Sequence, residues 1–198
     1  MRNAAFLLAI CSCLAAGGLA RPVGNQAPPP VLGAGSVAEF NVQRLVSTSR
    51  NPSPAEKWQQ IHETRTVLSQ QGGMLEIRIE ENFGAGTQPS VRTEKIAAVP
   101  DLPAPPAPSG AANGGGVGRA TGPDGIPRRT WVGRETITTP AGTFECVHIA
   151  VEIVQISSGT HIDEWYTAGL PWPVRSSSVT GAGATHYAKS ELVTLRRK

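Results

Sequence analysis

The chain has 198 residues, a formal charge of +3, 39% hydrophobic residues and only 5% aromatics. Lys and Arg are scattered, with small clusters only at Arg128-Arg129 and Arg196-Arg197-Lys198. This argues against the basic, aromatic-interleaved stripe of a nucleic-acid binder, and 17 Pro with 22 Gly argue against a helical bundle and for a β-rich domain with long loops.

Residues 1–20 read as a secretory leader. Arg2 precedes an apolar run from Ala4 to Ala16, and Gly18-Leu19-Ala20 offers small residues for cleavage after Ala20. The run is too short and too weakly flanked for a stable membrane span. A second reading is lipidation, because Ile10-Cys11-Ser12-Cys13 resembles a bacterial lipoprotein signal with Cys13 as the modified residue. Either way the expected location is extracytoplasmic, in the periplasm or secreted, and membrane-anchored if Cys13 is acylated. With two of three cysteines in the leader, the mature chain keeps Cys146 alone and has no internal disulfide. A lone Cys in a strand reads as a small buried apolar residue.

Residues 21–37, rich in Pro and Gly without a period, read as a flexible tether. One β-rich domain is expected over 38–198. Phe40 to Val46 alternates apolar and polar as a strand does. Ser53-Pro54-Ala55-Glu56 is a helix-start pattern that predicts one short helical turn near 54–58. Residues 59–69 stay open between strand and helix, because Trp58, Ile61 and Leu68 roughly follow helical spacing while Thr64, Thr66 and Val67 favour strand. A hairpin across Gly72-Gly73 leads into the period-2 strand Met74–Glu80, and Val91 to Ile96 is a further candidate strand. Half of residues 100–127 are Pro or Gly, which predicts a structureless insert.

Strands resume at Trp131–Thr139, and Thr139-Pro140-Ala141-Gly142-Thr143 is a tight turn. Phe144–Ile156, His161–Thr167, Val174–Val179 and Ala184–Leu195 complete the set, with Pro171-Trp172-Pro173 interrupting. Closing the Pro140 turn in the usual register places Trp131 and Ile137 on the face of Val147, Ile149, Val151 and Ile153. Arg134, Thr136 and Thr138 then share the other face with Phe144, Cys146 and His148. The expected fold is all-β, or β-rich with one short helix. It is an antiparallel meander sheet, open and curved or partly closed like a barrel.

The run Arg134-Glu135-Thr136-Ile137-Thr138-Thr139-Pro140-Ala141-Gly142-Thr143-Phe144-Glu145-Cys146 is followed by Trp165-Tyr166, Gly169-Leu170-Pro171 and Val174-Arg175-Ser176. Over residues 130–195 this resembles a domain family of unknown function found in exported bacterial proteins. The resemblance implies an extracytoplasmic β-domain, in some members lipid-anchored. It implies no reaction and supplies no catalytic residues.

Trp165, Tyr166, Leu170 and Trp172 are the candidate ligand-binding residues: aromatics beside a Pro-rich bend either line an apolar pocket or close the end of the core. Glu152, His161 and Asp163 share one face and are the carboxylate–histidine set a secreted hydrolase would use, although a solvated sheet face has the same composition. His62, His148 and His186 have no partner at metal-ligand spacing, and no G-x-S-x-G elbow occurs. No cofactor, metal site or catalytic residue is expected. The leading functional expectation is non-enzymatic binding of a small apolar or lipid-like ligand, or an envelope-associated structural role. The alternatives are an interaction module using the Pro-rich insert and a secreted hydrolase.

Overall fold

The computed structural model describes residues 32–47, 57–106, 125–155, 158–181 and 185–198. They form nine strands: β1 (Val37–Ser47), β2 (Gln59–Gln71), β3 (Met74–Asn82), β4 (Ser90–Ala97), β5 (Arg128–Thr139), β6 (Gly142–Val154), β7 (Gly159–Thr167), β8 (Arg175–Gly181) and β9 (Thr185–Arg196). No helix occurs among the described residues. Residues 59–71 are therefore strand, their β-branched Thr64, Thr66 and Val67 prevailing over the loose helical spacing. The helical turn expected at 54–58 falls mostly outside the described residues, as do the leader and Cys13.

The strands make one antiparallel sheet in the order β4-β3-β2-β1-β9-β8-β7-β6-β5. Two meanders, β1–β4 and β5–β9, are thus joined by the pairing of β1 with β9. The sheet is open, with β4 and β5 as its edges. Gly72 and Gly73, both at positive φ, make the two-residue turn between β2 and β3 that closes Gln71 against Met74.

The register separates two faces. Phe40, Ile61, Ile79, Val147, Ile149 and Tyr166 lie on one; Asn41, Lys189, Arg175, Trp165 and His148 lie on the other. The first face carries the main core, in which Phe40, Leu75, Val174 and Leu192 are fully buried. Burying a side chain of this size contributes about 1.5–3 kcal/mol. A second cluster of Ile149, Val151 and Tyr166 lies further along the same face.

Three expectations are corrected. The Pro140 turn has two residues, so Thr139 faces Gly142, Ile137 pairs with Phe144, and Ile137 shares the face of Cys146 rather than that of Val147. A bulge between Trp131 and Gly133 then returns Trp131 to the face of Ile149. Chain assigned to the tether by composition is packed from Leu32 onward: Leu32 is buried, Gly35 N–H donates to the Val67 carbonyl at 2.8 Å, and Ser36 C=O accepts from Val67 N–H at 2.9 Å. The start of the Pro-rich insert is also docked. Leu102 packs against the second cluster, and Asp101 C=O accepts from Arg129 Nη1 at 2.9 Å. Residues 107–124 of the insert lie outside the described residues.

Candidate ligand cleft beneath the β4–β5 crossing

After β4, the chain leaves one sheet edge for the other. Ala98 N–H donates to Gly73 C=O at 2.8 Å, which fixes the start of the crossing at the β2–β3 turn. The Arg129 bond to Asp101 and the seat of Leu102 fix its far end against β5–β7. Pro100 and Pro103 suit this role, because a prolyl strap is stiff and has fewer N–H groups to satisfy. Between strap and sheet lies a cleft of about 800 Å³, lined by Val99, Leu102, Val147, Tyr166 and Leu170, with Arg134 and Glu145 among its walls.

The four candidate ligand-binding residues separate. Tyr166 and Leu170 line the cleft. Trp165, the neighbour of Tyr166 on β7, points to the opposite face and stacks on His148 with centroids 4.5 Å apart. Trp172 is only 2% exposed and sits edge-on to Phe40 at 6.4 Å, with the Arg65 guanidinium 5.6 Å above its ring. Trp172 therefore occupies the core position that was the alternative reading for this set.

The groups at the cleft wall are poor nucleophiles. Tyr166 Oη accepts from Arg129 Nη2 at 3.1 Å and donates to Glu164 Oε2 at 3.2 Å. Burial, with the Glu164 carboxylate, pushes its phenol up to about 12, against the pull of Arg129. Burial likewise pushes the Cys146 thiol up to about 11, aided by Glu145 and Glu135. Both stay protonated near neutrality, and the reactive form of Cys is the thiolate.

Glu152, His161 and Asp163 share one face, as the sequence predicts, but Asp163 is engaged by a further histidine. Glu152 and His161 are cross-strand partners. His161 Nε2 is 3.2 Å from Asp163 Oδ2, but Asp163 Oδ1 is held by His148 Nε2 at 2.8 Å, and His148 Nδ1 lies 2.8 Å from Glu135 Oε1. His148 was the residue sequence reasoning passed over. Its partners are on two other strands, and only the register of β5, β6 and β7 brings them together. Among the described residues no group of three or more His, Cys, Asp or Glu side chains is placed to hold a metal ion.

The likeness to known proteins is a matter of fold. A likeness over 85% of this chain and 97% of the other joins it to the crystal structure of a candidate lipoprotein from Parabacteroides distasonis ATCC 8503, at 13% identity and a TM-score of 0.50. A candidate exported protein with a YmcC-like fold from Bacteroides fragilis NCTC 9343 gives 15% identity over 85% of this chain and 98% of that one, with a TM-score of 0.44. No curated protein matches the sequence significantly. The model of the DUF3108-like family, a domain of unknown function, matches residues 124–184, the stretch that runs from the approach to β5 to the end of β8.

Proposed function

We propose that the protein works outside the cytoplasm as a non-enzymatic binder, holding an apolar or lipid-like ligand in the cleft between the strap and β5–β7. The cleft carries this reading. Its volume suits a small ligand, and its walls set an apolar side of Val99, Leu102, Val147 and Leu170 beside the charged Asp101, Arg134 and Glu145. The high phenol and thiol of Tyr166 and Cys146 favour binding over covalent chemistry. Export rests on the sequence of residues 1–20, and the lipoprotein name of the Parabacteroides neighbour agrees with it.

The test is native mass spectrometry of the protein expressed with its own leader in a bacterial host. The expected result is the mass of residues 21–198 plus a bound species of lipid size. An acylated chain beginning at Cys13 would replace soluble export with anchoring. Titration with N-phenyl-1-naphthylamine should give saturable fluorescence that Val147→Trp, which fills the cleft, removes. A bare chain with no dye uptake would sink the binding reading.

A further inference from the structure

We propose that the face opposite the cleft carries a second site, for a single pyranose ring bearing a carboxylate. Two neighbouring rungs of the sheet build it. Asn41, Glu191, Arg175 and Trp165 are successive cross-strand partners on β1, β9, β8 and β7, and Gln43, Lys189 and Ser177 form the next rung. These side chains surround a cavity of about 350 Å³ that shares no lining residue with the cleft. Arg175 also ties this rung to the end of β5, its Nη2 donating to the Thr138 carbonyl at 2.7 Å.

The chemistry is that of a polyol site. Asn41 and Gln43 each offer a donor and an acceptor, as a sugar hydroxyl does, and Ser177 adds a hydroxyl. An apolar ligand would strip water from all of these groups without replacing their hydrogen bonds. Trp165 supplies an aromatic wall fixed by its stack on His148, and its buried Nε1 has no acceptor among the described residues. The charges call for an acidic sugar. Glu191 is already engaged by Arg175 Nη2 at 2.6 Å. Lys189, whose Nζ lies 5.2 Å from the Trp58 ring centroid, has no carboxylate partner among the described residues. One cation at the cavity wall is therefore uncompensated. A bare anion would use Lys189 but would have no need of Asn41, Gln43 and the Glu191 carboxylate.

The experiment is isothermal titration of the full mature chain with glucuronate, glucose and acetate, up to about 50 mM for weak sites. Glucuronate should bind saturably, glucose more weakly, and acetate not at all. Lys189→Gln should reduce glucuronate to the level of glucose, and the Asn41→Ala/Gln43→Ala pair should weaken both sugars about tenfold or more through lost hydrogen bonds. Circular dichroism and unchanged naphthylamine uptake check that the variants keep fold and cleft. Three results overturn the site: no saturable sugar binding, glucuronate binding that survives all three substitutions, or acetate binding as well as glucuronate does. Equal binding of the two sugars overturns the carboxylate.

Discussion

The first meander and the second solve the same packing problem differently. In β1–β3 most buried apolar side chains fall on one face, that of Phe40, Val42, Ile61, Val67, Leu75, Ile77 and Ile79, while the other face has the buried Leu45 among polar groups such as His62 and Arg78. In β5–β7 the apolar residues divide between the faces, with Ile137 and Cys146 on one and Ile149, Val151 and Tyr166 on the other. The second half thus feeds two clusters, Ile137 and Cys146 joining the main core and Ile149, Val151 and Tyr166 forming their own. Both cavities described above use this half. Apolar residues gathered on one face build one core, and apolar residues shared between faces build two smaller ones with cavities beside them.

The largest expected effect is at the closed half. Phe40→Ala should cost about 3–5 kcal/mol in denaturant unfolding, while Ile153→Ala, on a half-buried residue, should cost about 1 kcal/mol. Equal losses would break the comparison.

The next concerns the charged row embedded in the same half. Burial acts to raise the Glu81 carboxyl, but Arg44 at 2.8 Å and Arg92 at 3.2 Å outweigh it and hold the group below its ordinary 4.5. The folded value lies below the unfolded one, so this stabilisation is complete above about pH 4.5 and is lost as pH falls through the folded value. Urea midpoints measured from pH 7 downward should show this loss in the wild type, and Glu81→Gln should lack it. At pH 7 the variant should be less stable by about 1 kcal/mol, a small figure because both arginines are half in water.

The smallest effect sharpens the open half. Tyr166→Phe removes the bonds to Arg129 and Glu164 at a cost of about 0.5–1.5 kcal/mol. Because the folded phenol titrates at about 12 instead of 10, its contribution is full below pH 10 and fades above. Alkaline unfolding should be steeper in the wild type than in the variant. Identical alkaline profiles would remove Tyr166 from the wall network.

What the sequence disclosed and what it withheld divide along local and non-local rules. The Gly72-Gly73 hairpin, the Pro140 turn, most strands of the second half and the open antiparallel sheet follow from turn chemistry and period-2 alternation, which act over a few residues. The face of Ile137 was misjudged because one residue of turn length flips every side chain beyond it. The Trp131 bulge, the Glu135–His148–Asp163 chain and the two rungs around Lys189 depend on register between distant strands, which no single segment encodes. The strap was hidden by its own composition. Pro100 to Pro106 reads as disorder, yet Leu102 within it finds an apolar seat on the far half of the sheet. Of the candidate site, Tyr166 and Leu170 were visible as residues near a bend, but their separation from Trp165 and Trp172 was not.

The seam between β1 and β9 also sets the order in which the molecule can be completed. A chain made from its N-terminus can form β1–β4 early, but the free side of β1, with Phe40, Val42 and Leu45 along it, must wait for the last strand. Even Lys198 takes part, donating its N–H to Ser36 Oγ at 3.1 Å. Until β9 emerges, a long apolar strand has an unpaired edge on which another nascent chain can template, and closing it requires pairing with a strand far along the sequence. The protein should therefore depend on a holding chaperone while β9 is still being made, and a stop codon placed just before Thr185 should turn a folded domain into an aggregating one.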